Sequence, residues 1–152
     1  MHISNFYKDQ DILLFKECYA LHKIHGTSSN LSFKDGKLSF FSGGVNHEEF
    51  VKLFNKEQLM AVLTDYGFDM TVYGEAYGGK CQGMSDTYGK SLKFVAFEVN
   101  MNDCWLNVPN AEQVVLKLGL EFVYYERISA TIDEINRMRD MDSVQAVRNG
   151  MG

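Results

Sequence analysis

Lys23-Ile24-His25-Gly26-Thr27-Ser28-Ser29 is the stretch on which the reading of this chain turns. It follows a mixed apolar run, Leu13 to Leu21, that reads as a strand, and it passes through a glycine turn into small polar residues. A lysine at the end of a strand, with a glycine turn behind it, can be held rigidly against a phosphate. Residues two apart on a strand share a face, so Lys23 and His25 line one pocket if the strand continues that far. On its own the tetrapeptide is a short pattern of the kind that recurs by chance. Lys23 then reads as a solvated strand end, and His25 as a turn residue bonded to backbone.

Two later segments change that reading. Val72-Tyr73-Gly74-Glu75-Ala76-Tyr77-Gly78-Gly79 places a carboxylate inside a strand pattern, and Phe94-Val95-Ala96-Phe97-Glu98-Val99 ends on an aromatic, an acid and an aliphatic. Taken singly, Glu75 is a surface carboxylate and Phe97 a core residue. Taken together and in this order, Lys-x-His-Gly-Thr, Tyr-Gly-Glu and the aromatic-acid-aliphatic segment resemble successive motifs of the RNA ligase 2-like family of covalent nucleotidyltransferases. The resemblance runs from about Tyr19 onward.

What the resemblance implies is specific. Lys23 would be the nucleophile that becomes joined to AMP, with His22, Ile24, His25 and Gly26 beside it at the nucleotide. Glu75 would bind the ribose hydroxyls, since a carboxylate is a two-oxygen acceptor. Phe97 would stack on adenine, and Glu98 would orient the site or approach a metal. The family uses ATP and a divalent cation, usually Mg²⁺, passes AMP to an RNA 5′-phosphate, and seals the strand with a 3′-hydroxyl. An ordinary lysine (pKa ~10.4) is protonated at neutral pH, so Lys23 must be deprotonated by desolvation or neighbouring positive charge. Alternation along the strand sets Phe97 with Val95 and turns Glu98 the other way. By that rule Phe97 is the better pocket residue.

Size and composition agree with one globular domain. A chain of 152 residues can bury roughly two-thirds of its unfolded surface. Its 45% hydrophobic and 23% charged residues are ordinary for such a domain. No apolar run approaches the ~20 residues of a membrane helix, and Met1 to Gln10 is polar, without a signal-peptide core. Cys18, Cys81 and Cys104 form no paired pattern, which points to reduced thiols in a cytoplasm. A net charge of −5, with every arginine at position 127 or later, argues against strong unaided RNA binding.

Asp35-Gly36 predicts a two-residue hairpin turn between Ser28–Phe33 and Lys37–Phe41. Asn46 with Glu49 reads as a helix N-cap and its capping partner, ahead of an apolar face of Phe50, Leu53 and Phe54. Leu59, Val62 and Leu63 predict a second helix ended by Gly67. Thr71–Tyr77 and Lys93–Asn100 read as strands, Glu112–Leu118 as a helix after a break at Pro109, Leu120–Glu126 as an aromatic strand, and Thr131–Met141 as a helix using Ile132, Ile135 and Met138. Hairpins interleaved with helices give an α+β fold with a mixed or antiparallel sheet. The resemblance names it an ATP-grasp-like nucleotidyltransferase domain.

Some readings are set aside. Gly74 to Gly79-Lys80 nearly spells a phosphate-binding P-loop, but Cys81 replaces the hydroxyl residue and no helix follows. Cys18, His22 and His25 do not make a zinc site, because strand residues three apart face opposite ways. The sequence also departs from the family. His22 stands where a glutamate is usual, and Phe40-Phe41-Ser42-Gly43-Gly44 has no arginine, leaving Lys34 or Lys37 as substitutes. The later Glu-Gly and Lys-x-Lys motifs do not occur before Gly152, so residues 1–152 are expected to be a domain incomplete at its C-terminus. Two rivals follow: a non-catalytic nucleotide- or RNA-binding remnant, and a DNA ligase or capping guanylyltransferase. His25 argues against the second, whose members carry aspartate there.

Overall fold

A computed structural model of the chain describes residues 5–151. The start of the polar N-terminal stretch and the final Gly152 lie outside the described residues. In chain order the elements are β1 (Glu17–Leu21), β2 (Thr27–Lys34), β3 (Lys37–Phe41), α1 (His47–Val51), α2 (Lys56–Tyr66), β4 (Met70–Gly78), α3 (Ser85–Tyr88), β5 (Leu92–Met101), β6 (Cys104–Trp105), α4 (Val108–Lys117), β7 (Tyr125–Ser129), α5 (Ile132–Arg139) and α6 (Val144–Arg148). They form two compact units. The first joins the chain up to His22 with Tyr124–Val144; the second joins Lys23–Val123 with Gln145 onward.

The second unit is built on a five-stranded sheet in the order β3-β2-β4-β5-β6, with every strand pair antiparallel. The Asp35-Gly36 turn forms as expected, with both residues at positive φ (49° and 72°), and β2 and β3 pair from Lys34↔Lys37 to Asn30↔Phe41. Alternation gives the sheet two unlike faces. Phe40, Leu31, Val72 and Val99 lie in one cross-strand row, and Leu38, Phe33, Met70 and Met101 in the next. This apolar face is covered by Phe50 and Phe54, whose rings meet each other (5.0 Å between centroids) and Phe94 (5.7 and 5.4 Å) in edge-on contacts. Gly74 makes room for Phe94, because a Cβ there would lie 2.5 Å from the ring.

The helices over that face are held by the expected caps. The Asn46 side chain accepts from the Glu49 N–H at 3.0 Å, and Asn55 accepts from Gln58. Gly67 closes α2 in the left-handed conformation at φ 69°. Phe50, Phe54, Leu59 and Leu63 are buried, whereas Leu53 is exposed. Pro109 falls within the first turn of α4, which Asn107 caps, so the helix starts earlier than expected.

The other face of the sheet is polar. It carries Ser28, Asn30 and Ser32 of β2, Thr71, Tyr73 and Glu75 of β4, and Asn100 of β5, as the pairing Asn30↔Tyr73 and Thr71↔Asn100 requires. In the first unit β1 pairs antiparallel with β7, from Glu17↔Ser129 to Leu21↔Tyr125. Helix α5 is capped by Thr131, and its Arg137 pairs with Glu126 at 2.8 Å.

Two expected strands also differ. Leu13 and Leu14 belong to a 3-10 turn, Asp11–Leu14, and the strand begins at Glu17. It ends at Leu21, so Lys23 and His25 are not strand residues. Leu120–Glu126 is not one strand. Phe122 makes a single parallel bridge to Ala96, and β7 starts at Tyr125, because the chain passes from one unit to the other between Val123 and Tyr124. Among the described residues no helix is long and apolar enough to cross a membrane.

Removing the ring at the centre of the aromatic core should be severe. Phe50→Ala is expected to lower unfolding free energy in urea by ~3–5 kcal/mol, and a loss under ~1 kcal/mol would show that the ring cluster does not hold the helices to the sheet.

Candidate functional site

The site grows from the turn after β1. Ile24 is buried and anchors the segment, leaving Lys23 and His25 exposed on either side of it. Gly26 then passes so close to β4 that a Cβ on it would lie 2.2 Å from the Ala76 carbonyl oxygen. No side chain fits there. The approach lets the Gly26 N–H donate to Glu75 Oε1 at 3.2 Å. The neighbouring His25 N–H donates to Tyr88 Oη at 3.4 Å. Tyr88 is buried and set edge-on against Tyr77 at 5.4 Å, so the turn is fixed at two successive amides.

Glu75 is half-buried, and its pKa is raised. Desolvation by burial pushes it up, while the Gly26 N–H and the charges of Lys23 and His25 pull it down. Burial wins. The opposing contributions place Lys23 and His25 within electrostatic reach of this carboxylate. Cys81 also borders it: burial, and then the Glu75 charge, raise its thiol pKa, and the thiol donates to the Ala76 carbonyl at 3.5 Å.

Glu98 reaches the Glu75 face by a route that strict alternation does not give. The β4–β5 register shifts between Tyr73 and Gly74: Gly74 pairs with Ala96, but Tyr73 pairs with Glu98. Phe97 is the extra residue of a β-bulge, and such bulges re-aim side chains. Because directly opposed residues share a face, Glu98 sits on the face of Tyr73 and Glu75, as Val95 does opposite Glu75. The expectation that Glu98 turns away from Val95 is therefore corrected. Glu98 is half-buried, burial raises its pKa, and its Oε2 is buried with no hydrogen-bond partner among the described residues. An unsatisfied buried carboxylate oxygen is costly, and it is a natural place for a cation. Among the described residues no group of three or more His, Cys, Asp or Glu is placed to hold a metal.

His22 belongs to the first unit. Its N–H donates to the Tyr124 carbonyl at 3.0 Å and its ring lies edge-on to Tyr124 at 5.0 Å. Lys23, Ile24, His25, Gly26, Glu75, Phe97 and Glu98 all belong to the second. The burial expected to desolvate Lys23 is not present among the described residues, since the side chain is exposed. Sequence reasoning did not find Tyr88 or Cys81. The only signal for Tyr88 was one large aromatic in a loop otherwise rich in Gly, Ser and Asp.

A cleft of about 460 Å³ is lined by Thr27, Asn46, Glu49, Lys80, Cys81 and Lys90, among others. Thr27 pairs with Ala76, on the opposite face from Glu75. The cleft nevertheless meets the Glu75 site at Cys81, whose thiol the Glu75 charge influences.

Compared by sequence, the chain matches no protein-family model and no curated protein. Compared by structure, it is similar to Naegleria gruberi RNA ligase. A lysine variant of that protein with ATP and manganese superposes with a TM-score of 0.71 at 16% identity. A second lysine variant, with AMP and manganese, gives 0.70 at 16%; in both, the likeness covers 87% of this chain and 44% of that one. The same ligase with pyrophosphate gives 0.69 at 16%, over 87% and 43%. The chain therefore shares an α+β fold with part of that RNA ligase, and it spans under half the length of those ligases.

The pKa shifts carry a sign. A carboxylate whose folded pKa is raised stabilises the fold fully below its unfolded value and loses that contribution as pH rises through the folded value. Melting temperature measured from pH ~4 to neutrality should therefore fall less in Glu75→Gln and Glu98→Gln than in the parent chain. Parallel profiles would mean that neither carboxylate is desolvated.

Proposed function

We propose that this chain is the nucleotide-binding part of an ATP-dependent RNA ligase, with Lys23 as the residue that becomes covalently joined to AMP. One observation carries the reading. The Gly26 N–H of the lysine- and histidine-bearing turn donates to Glu75, and a single bulge at Phe97 brings Glu98 to the Glu75 face. The likeness to ligase structures bearing ATP, AMP or pyrophosphate supports it.

In the proposed reaction the neutral Lys23 amine attacks the α-phosphorus of ATP. A nitrogen–phosphorus bond forms, the bond to the bridging oxygen breaks, and pyrophosphate leaves with that electron pair. The proton lost by the nitrogen passes to solvent or to His25, exposed two residues on. Because Lys23 is itself exposed, its desolvation would come from bound nucleotide. Gly26 leaves the turn no side chain, so phosphate can approach the backbone. Glu75, held by the Gly26 N–H, would accept from the ribose hydroxyls, and Phe97 would stack on the purine. AMP would then pass to an RNA 5′-phosphate, and a 3′-hydroxyl would displace it.

A divalent metal, Mg²⁺ or Mn²⁺, would when bound stabilise charge developing on the phosphates. Glu98 fits as its protein ligand through the unpartnered Oε2. Such ions commonly take one or two carboxylates together with substrate phosphates and water, so one acid suffices in this sheet. Free Cys18, Cys81 and Cys104 support a reducing, cytoplasmic setting.

A second reading, a nucleotide-binding domain that does not react, is favoured by the exposure of Lys23. One experiment separates them. With ATP labelled at the α-phosphate and Mg²⁺ or Mn²⁺, the chain is expected to keep the label through denaturing electrophoresis and to lose it in Lys23→Ala. Absence of label, or label retained in that variant, contradicts the ligase reading.

A further inference from the structure

The polar sheet face does not end at Glu75. Two residues along β4, about 7 Å away, Tyr73 points from the same face and pairs with Glu98. Trp105 lies two strands over on β6, on this face too, because it pairs with Asn100 and Asn100 pairs with Thr71. The indole and phenol rings contact at 5.4 Å with a tilt of 42°, and Trp105 remains 53% exposed. Its position is fixed locally. Asn102 and Asp103 take positive φ (50° and 63°) in a tight turn, the Asn102 N–H donates to the Asp69 carbonyl at 2.8 Å, and the Leu106 N–H donates to Val99 at 3.0 Å.

A groove of about 320 Å³ borders Tyr73, lined by Lys34, Asp69, Asn100, Asn102 and Asp103 among others. What sets Trp105 apart from the other exposed aromatics is its ring contact with Tyr73, which itself lines the groove. The surrounding charges say what binds. Two aspartates against one lysine repel a phosphate. Amides and carboxylates instead offer acceptors and donors to the amino, imino and carbonyl groups on the edge of a base, while the rings offer it a stacking surface.

We propose that Trp105 and Tyr73 are a stacking platform for a nucleobase at the end of the RNA strand presented to the adenylate. This rests on the ligase reading only for the identity of the strand. The platform holds the base next to the reaction face while the phosphates lie toward Gly26. Base stacking on aromatic side chains is tolerant of sequence and contributes strongly per base. It also explains how an acidic chain with a net charge of −5 can hold RNA without a basic stripe.

The test uses the fact that the chain has a single tryptophan. Titrating a 5′-phosphorylated RNA oligonucleotide should quench its fluorescence saturably. An abasic ribose-phosphate oligomer of equal length should not quench. Trp105→Leu should weaken RNA binding about fivefold or more, measured by anisotropy of a labelled RNA, while ATP-derived labelling of Lys23 stays unchanged. Quenching by ATP but not by RNA would assign the rings to the adenylate and overturn the proposal, as would an undiminished affinity in Trp105→Leu. Loss of Lys23 labelling in the parent chain would sink the ligase reading alone; the fluorescence result would stand or fall separately.

Discussion

The site depends on one close approach, the passage of Gly26 against the Ala76 carbonyl of β4. With a Cβ only 2.2 Å from that oxygen, any other residue would push the turn away from the sheet. That would break the hydrogen bond from the Gly26 N–H to Glu75 and remove Lys23 and His25 from the carboxylate they now influence. A partly buried acid near cations, at the end of two paired strands, is thus a product of backbone packing. The side chains follow from it.

The same sheet divides structural and chemical work between its faces. On one side Phe40, Leu31, Val72 and Val99 line up in register and are sealed by Phe50 and Phe54. On the other side the opposed residues are mostly Ser, Asn, Thr, Tyr and Glu, with the buried Val95 opposite Glu75. Burying the first face supplies a rigid platform, and the second is left free for polar groups at fixed spacing. The bulge at Tyr73/Gly74 is the device that makes this second face richer than alternation allows. It adds Glu98 to the Glu75 side without moving Ala96 or Val99 out of the core.

Much of this was legible from local chemistry. Asp35-Gly36, Asn46 with Glu49, and Gly67 each act over a few residues through positive φ or a capped amide, and each stands where the sequence placed it. The second and third motif segments fall on β4 and β5, whereas Lys23–Gly26 lies in the turn between β1 and β2. What was not legible depends on partners distant in sequence. Nothing in Phe94–Val99 announces that β4 will shift register there, and strict alternation sent Glu98 to the wrong face. Leu120–Glu126 has the composition of a strand, yet the chain changes units within it. Leu13 and Leu14 have no cross-strand partner and fold into a turn. Tyr88, which holds the His25 amide, comes from 63 residues away, beyond the range of any local pattern.

In the proposed reading the nucleotide lies on the polar face around Glu75 rather than in the lysine-lined cleft that meets it at Cys81. Backbone amide chemical shifts of isotopically labelled protein, followed as ATP is added, test this most directly. The account predicts shifts concentrated at Gly26, Glu75, Phe97 and Glu98. Shifts confined to Gly44, Lys80 and Lys90, with the Gly26 amide unmoved, would contradict it.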